Sequence, residues 1–221
     1  MTLKRGVLWD MDGVLVDTAE FHFQAWSQVL PDYDLRMSRE LFQSTFGMNN
    51  AGVVSTLLGR EPEPAFLAEL GERKEQRFRQ VIRGHIQPLP GVCHWIERLE
   101  AEGAPQAIAS SAPPANIDVI IDELGLRSYF TAIVTGYDLP GKPDPTLFLK
   151  VARQIDVPPE RCVVIEDAVA GVQAAKRAGM KCIAVTTSNP ARALDGADVV
   201  VESLDALPPD AFDQLLGEKE V

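Results

Sequence analysis

Cysteine is scarce in this chain. The three residues, Cys93, Cys162 and Cys182, form no CxxC pair and have no His-rich neighbourhood, which argues against a disulfide scaffold or a thiolate metal site. Their apolar flanks predict plain buried thiols of a reducing compartment. No apolar run approaches the ~20 residues of a membrane span. The N-terminus reaches a strand by Gly6 without a long apolar region, so the expectation is a cytoplasmic protein without a secretory signal. Positive charge is also short: 21 Lys and Arg stand against 32 Asp and Glu, a net charge of −11. Neutralising a nucleic-acid backbone needs clustered Lys and Arg, so nucleic acid and anionic membrane are not expected partners. A small anionic substrate remains open, because one site can be locally positive inside an acidic protein. Internal repeats and low-complexity tracts are missing too, no oligomer surface is legible, and a monomer is the expectation.

What is present is a rhythm of short apolar runs bounded by turn signals. They fall at 6–9, 106–109, 132–134, 162–165, 182–185 and 198–201. Each is too short for a helix core and rich enough in Val and Ile for a strand buried on both faces. Helical patterns near 92–102, 117–124, 146–154 and 169–178 separate most of them. Strands alternating with helices imply parallel pairing through right-handed crossovers, hence an α/β fold with a Rossmann-like open parallel sheet. Residues from about 17 to 84 break the rhythm and read as helices alone. Ser38 is placed to cap a helix carrying Leu41, Phe42 and Phe46. Gly47 to Asn50 reads as a turn before Val53, Val54, Leu57 and Leu58, and Gly59 and Pro62 stop that helix. A long helix then runs to about Arg83. The expected domains are a core of residues 1–16 and 86–221 and an inserted α-helical cap of residues 17–85.

The first strand runs directly into Asp10-Met11-Asp12-Gly13. The carboxyl ends of strands in an open parallel sheet are where ligands bind. Two carboxylates two residues apart repel unless a cation or a shared proton relieves them. Taken alone, the pair reads equally well as a polar turn cornered by Asp12-Gly13. Three further strand ends weigh against the turn. The second delivers Ser110 and Ser111 ahead of Pro113-Pro114 at a helix start, which suits a phosphate, though taken alone a simple Ser N-cap is the favoured reading. After the third comes Gly141-Lys142-Pro143-Asp144-Pro145, with Asp144 expected as N-cap and Pro145 as the first helical residue, so that Lys142 sits on a rigid turn. The fourth ends in Glu166-Asp167. Acids on two strand ends suit a hard, oxygen-seeking ion such as Mg²⁺. A carboxylate nucleophile, a lysine and a hydroxyl around that ion make an aspartyl-phosphate site.

Four pieces, in this order and spacing, resemble the haloacid dehalogenase superfamily of phosphotransferases: DMDGVLVDT at 10–18, ASS at 109–111, GKPDP at 141–145 and VVIEDAVAGVQAAKRAG at 163–179. The helical insert after the first piece is similar to the subclass with a type C1 cap. DTAEFHFQAW at 17–26 is similar to the β-phosphoglucomutase-like and phosphatase subgroup. The resemblance implies that Asp10 attacks phosphorus and ligates Mg²⁺. It implies that Asp12 serves as acid and then base while its carbonyl ligates the metal, and that Asp167, helped by Glu166, completes the metal site. Ser110, Ser111 and Lys142 would hold the phosphate.

In the cap, Lys74 interrupts the apolar stripe of Leu67, Leu70, Phe78 and Val81, and His22 shares a helix face with Trp26 and Val29. A snorkelling lysine and a satisfied core histidine are the plain readings. The resemblance instead makes His22 and Lys74 substrate contacts, with Thr18 at the hinge that lets the cap open and close, and Asn50 in the first cap loop. It also exposes departures: Pro113-Pro114 and Asn50 stand where the mutase carries a Lys-Asn pair and an arginine for a second phosphate. The expectation is therefore hydrolysis of a small phosphorylated metabolite, a sugar phosphate among the candidates. A phosphosugar mutase is the alternative, and a non-catalytic binding domain of the same fold a third.

Overall fold

The computed structural model describes residues 5–45 and 47–217; Phe46, expected on an apolar helix face, lies outside them. The chain divides into two compact units, Met1–Asp17 with Gln87–Val221, and Thr18–Ile86.

The first unit is built on six parallel strands in the order β3-β2-β1-β4-β5-β6. These are β1 (Gly6–Trp9), β2 (Gln106–Ser110), β3 (Ala132–Thr135), β4 (Cys162–Glu166), β5 (Lys181–Val185) and β6 (Val199–Val201). The fold class is as expected from the alternation of strands and helices. β1, β2 and β4 are buried at every residue. The edge strands are not: β3 is buried only at Val134, and all of β6 is half-buried. Their Val and Ile content reads as double burial in the sequence, but an edge strand has a neighbour on one side only.

Along each strand the side chains alternate between faces. Leu8, Ala107, Val164 and Cys182 enter one core cluster with Phe148, Val151, Val172 and Ala175. Trp9 points the other way, where its indole N–H donates to Gln106 Oε1 at 3.1 Å and the Gln106 amide donates to Ile96 O at 2.9 Å. Burying one such large apolar side chain contributes roughly 1.5–3 kcal/mol.

Nine helices of α type are described, numbered in chain order. Four belong to the second unit: α1 (Ala19–Val29), α2 (Arg39–Thr45), α3 (Asn50–Leu58) and α4 (Pro64–Val81). Ser38 Oγ accepts from Leu41 N–H at 3.1 Å and caps α2. α1 packs along α4, and Trp26, Leu30, Phe42, Val54 and Leu70 close a separate core. The first unit holds α5 (Val92–Ala101), α6 (Pro114–Glu123), α7 (Thr146–Gln154), α8 (Val169–Arg177) and α9 (Ala211–Leu216). No described helix is long and apolar enough to cross a membrane.

One thiol departs from expectation. Cys162 and Cys182 are buried, but Cys93 is exposed. The apolar face of α5 is Val92, Trp95, Ile96 and Leu99, and the residue after Val92 is turned about 100° off it.

Candidate active site

The candidate side chains lie at the carboxyl ends of β1, β2 and β4 and, for Lys142, in the loop that follows the edge strand β3. Asp10 follows β1 directly, and its N–H continues the ladder to Ile165 O at 3.0 Å. The chain then turns back sharply: Leu15 N–H reaches Met11 O at 2.9 Å and Gly13 N–H reaches Val16 O at 2.8 Å. Gly13 has φ +81°, a left-handed conformation that glycine adopts without steric cost. It is also required for space, because a Cβ there would lie 2.0 Å from Asp167 Oδ2. The turn leaves Asp10 7 % exposed and Asp12 half-buried.

Glu166 ends β4 and is fully buried. Its Oε2 accepts from the N–H groups of Asp167 and Ala168, both at 3.0 Å, and its Oε1 accepts from the Lys142 ammonium. The same ammonium donates to Asp10 Oδ1. Lys142 is thus the bridge between two strand ends. Its loop is fixed by Asp144 N–H to Gly141 O at 3.0 Å, and the Arg177 guanidinium of α8 donates to Pro143 O at 3.1 Å. The helix start here differs from expectation: α7 begins at Thr146, with Pro145 as its N-cap. Asp144 Oδ1 accepts from Thr146 N–H, two residues on, at 2.9 Å. That local turn closes one residue before the helix.

Ser110 is the last residue of β2, one later in the strand than expected, and is buried. Its Oγ accepts from Ala112 N–H at 3.1 Å, which leaves the hydroxyl hydrogen able to donate. Ser111 is exposed. Carboxylate oxygens of Asp10, Glu166 and Asp167 all lie within 4.8 Å of one another. Asp12 adds no carboxylate to that group, but its charge acts on Asp167.

The electrostatics follow from burial. Desolvation pushes the Asp10 carboxyl well above its ordinary range; Lys142 opposes this, while Glu166 and Asp167 add to it. Asp167 is pushed up to about 7, first by burial and then by Glu166, with Ser188 and Lys142 pulling the other way. Burial alone would lower the Lys142 pKa, yet Asp10 and Glu166 outweigh it and the ammonium is held in its charged form. Buried carboxylates that repel each other are relieved by a cation, and an all-oxygen donor set fits a hard one.

The helical unit has its own polar cluster. Lys74, 4 % exposed, lies 2.9 Å from both His22 Nδ1 and Glu75 Oε1. Asn50 Nδ2 donates to the same Glu75 oxygen at 2.9 Å. The His22 ring stacks on Phe78 with centroids 4.0 Å apart. Burial, and then the Lys74 charge, hold the His22 pKa well below its ordinary value. Lys74, His22 and Asn50 are therefore one network. Thr18 is buried just ahead of α1 and accepts His22 N–H through its carbonyl at 3.0 Å.

Sequence reasoning missed four of these residues. Glu75 reads as one more acid in a charged helix, yet it is 6 % exposed and organises the polar cluster of the helical unit. Arg177 reads as a solvated end of α8. Ser188 and Asn189, in the loop after β5, carry no charge and match no motif. Ser188 nevertheless stands beside the Asp167 carboxylate, across the point that a Gly13 Cβ would take, and pulls its pKa down, while Asn189 Nδ2 donates to Asp167 O at 3.0 Å.

Comparison with known proteins agrees with this geometry. A family model for haloacid dehalogenase-like hydrolases matches residues 4–179. The chain is 35 % identical to the β-phosphoglucomutase of Bacillus subtilis strain 168, over 89 % of this chain and 88 % of that one. It is 31 % identical to the fructose-1-phosphate phosphatase YqaB of Escherichia coli K12, over 81 % of this chain and 95 % of that one. The crystal structure of CbbY from Rhodobacter sphaeroides in complex with phosphate superposes with a TM-score of 0.87 at 26 % identity, covering 96 % of this chain and all of the other. With its acidic strand ends, its bridging lysine and these relatives, the chain belongs to the haloacid dehalogenase-like hydrolase family.

Proposed function

We propose that this chain is a Mg²⁺-dependent phosphatase that hydrolyses a small phosphate monoester, a sugar phosphate, through an aspartyl-phosphate on Asp10. The observation that carries this is the Lys142 ammonium joining Asp10 to Glu166 inside a buried acidic cluster. Asp10 and Asp167, with the Asp12 carbonyl, would hold the metal, and Glu166 supports it from behind while anchoring Lys142. When bound, the ion neutralises charge on the transferring phosphoryl group and brings the anionic substrate against an anionic nucleophile.

Asp10 forms a bond to phosphorus as the bond to the leaving oxygen breaks. Asp12, protonated, gives its proton to that oxygen, and the alcohol departs. Water then attacks the aspartyl-phosphate; Asp12 takes its proton, the phosphorus–Asp10 bond breaks, and inorganic phosphate is released with Asp10 restored. Ser110 and Lys142 hold the phosphoryl oxygens through both steps, with Ser111 at the helix start beside them. The helical unit is proposed as the cap domain, and its His22, Lys74, Asn50 and Thr18 as the groups that read the organic part of the substrate. A reducing, cytoplasmic setting is proposed from the free cysteines.

A mutase reading is favoured by the 35 % identity to a β-phosphoglucomutase. Charge in the cap weighs against it. Lys74 is paired with Glu75, Arg39 is paired with Glu20, and Arg77 donates to Gln28 and Gln80. Asn50 spends its amide on Glu75. A charge-assisted hydrogen bond contributes roughly 1.5–3 kcal/mol, so lacking one weakens retention of a bisphosphate by roughly tenfold to a hundredfold or more. The deciding assay screens phosphorylated metabolites for phosphate release and supplies β-glucose 1-phosphate with catalytic glucose 1,6-bisphosphate. Free phosphate is expected to outpace glucose 6-phosphate; the reverse would establish the mutase.

A further inference from the structure

The loop after β5 supplies two uncharged donors to one residue. Asn189 Nδ2 holds the main-chain oxygen of Asp167 at 3.0 Å, and the Ser188 hydroxyl stands beside its carboxylate across the space left by Gly13. Asp167 N–H is meanwhile held by Glu166 Oε2 at 3.0 Å. The N–H of Asp167 is thus engaged from its own strand and its carbonyl from the neighbouring loop. The fourth wall is Gly13, where a Cβ would lie 2.0 Å from Asp167 Oδ2 and 3.1 Å from Ser188 Oγ. The carboxylate therefore sits in a slot between the first motif turn and the Ser188-Asn189 pair.

Such a slot does what a lone strand end cannot. Asp167 lies just past β4, where the ladder no longer fixes the backbone. A bond to its carbonyl sets where the Cα stands. A hydroxyl beside its carboxylate, with Gly13 opposite, confines the side-chain torsion and keeps a carboxylate oxygen within the acidic cluster. Partners of this kind, which orient a metal-ligating carboxylate, commonly govern metal affinity by roughly 10- to 100-fold.

We propose that Ser188 and Asn189 are positioning residues that brace Asp167 for divalent-metal binding. The brace rests on the reading of Asp167 as a metal ligand, and it assigns to the β5 loop a part in the site that no charge or motif in that loop announces. The effect of Ser188 and Asn189 is on the free energy of loading the ion, because an unbraced carboxylate must be ordered as the metal binds.

The experiment titrates Mn²⁺ into the metal-stripped full-length protein without substrate, following binding by calorimetry. Ser188→Ala and Asn189→Ala are each expected to weaken Mn²⁺ by roughly tenfold or more, with Ser188→Thr restoring most of the affinity. Melting temperatures in EDTA show that each variant is folded. Should Ser188→Ala fail to fold, Ser188→Cys, close in size and a weaker donor, takes its place. Asp167→Asn separates the two layers. If it loses Mn²⁺ while the folded loop variants bind like wild type, the brace is overturned and the metal site stands. If Asp167→Asn itself binds like wild type, the ligand assignment falls and the brace with it.

Discussion

Glu166 occupies the space that a side chain at position 171 would take: a Cβ on Gly171 would lie 1.9 Å from the Glu166 carboxyl carbon. The helix that follows β4 can approach its own strand end only because position 171 is bare. Glu166 cannot step aside, since both its oxygens are bonded, one to two main-chain N–H groups and one to Lys142.

Gly171→Ala should therefore behave as an overpacked core variant that also disturbs the site. The expected stability loss is about 1–3 kcal/mol, read by denaturant unfolding, together with a fall in turnover as Lys142 loses its anchor. Unchanged stability and rate would mean that Glu166 has freedom these contacts deny.

Asp10→Asn should remove turnover by about 10⁴-fold or more, the scale seen when a covalent nucleophile is lost, while circular dichroism stays that of the wild type. The amide keeps the shape and can still accept from Lys142, so the loss is chemical. Near-normal phosphate release by a clean preparation would exclude Asp10 as nucleophile.

Chelation should stop the reaction, and Mg²⁺ should restore it. Ca²⁺ should restore little, because its larger and more flexible coordination misplaces the reacting oxygens. The metal should also raise the melting temperature, as any ligand of the folded state does. Full turnover in excess EDTA would rule out a role for the acidic cluster in holding a required ion.

His22 gives a pH signature in stability. Its folded pKa is lowered well below 6.5 by burial and then by Lys74, while the unfolded chain takes up a proton near the ordinary value. Below that value the unfolded state binds more protons than the folded one, so the stability tied to a neutral His22 is present above about pH 7 and lost as pH falls. Asp10 and Asp167, whose pKa values are raised, act in the opposite direction but equally in wild type and variant. The melting-temperature difference between wild type and His22→Gln should therefore shrink from pH 7.5 to 5.5 in metal-free buffer. A constant difference would show that folded His22 titrates normally.

The legible parts of this molecule were those where neighbours in sequence are neighbours in the site. Asp10 with Asp12, and Glu166 with Asp167, announce themselves because a strand end forces adjacent acids together. Val163-Val164-Ile165 reads as a buried strand and is one. What could not be read depends on partners far along the chain. Glu75 looks like an ordinary helix acid until Asn50 and Lys74 converge on it. Ser188 and Asn189 acquire meaning only because β5 lies beside β4. The edge strands were misjudged because Val and Ile content reports burial in general and not how many neighbours a strand has. Cys93 was misjudged because an apolar flank does not say which side of a helix a residue takes.

The place of β1 at the centre of the sheet has a consequence for how the chain comes to be. Val7 to Trp9 are paired with Gln106 to Ile108 on one side, and Gly6 to Trp9 with Cys162 to Ile165 on the other. The strand that delivers Asp10 cannot be hydrogen-bonded on both sides until roughly 150 further residues have been made, about ten to thirty seconds of synthesis at ordinary rates. Through that interval it is an apolar strand with two open edges, while the helices of Thr18–Ile86 already have one another to pack against. Such a long-range, all-parallel pairing folds slowly, so the strand end that carries Asp10 is completed only once β4, far along the chain, is in place.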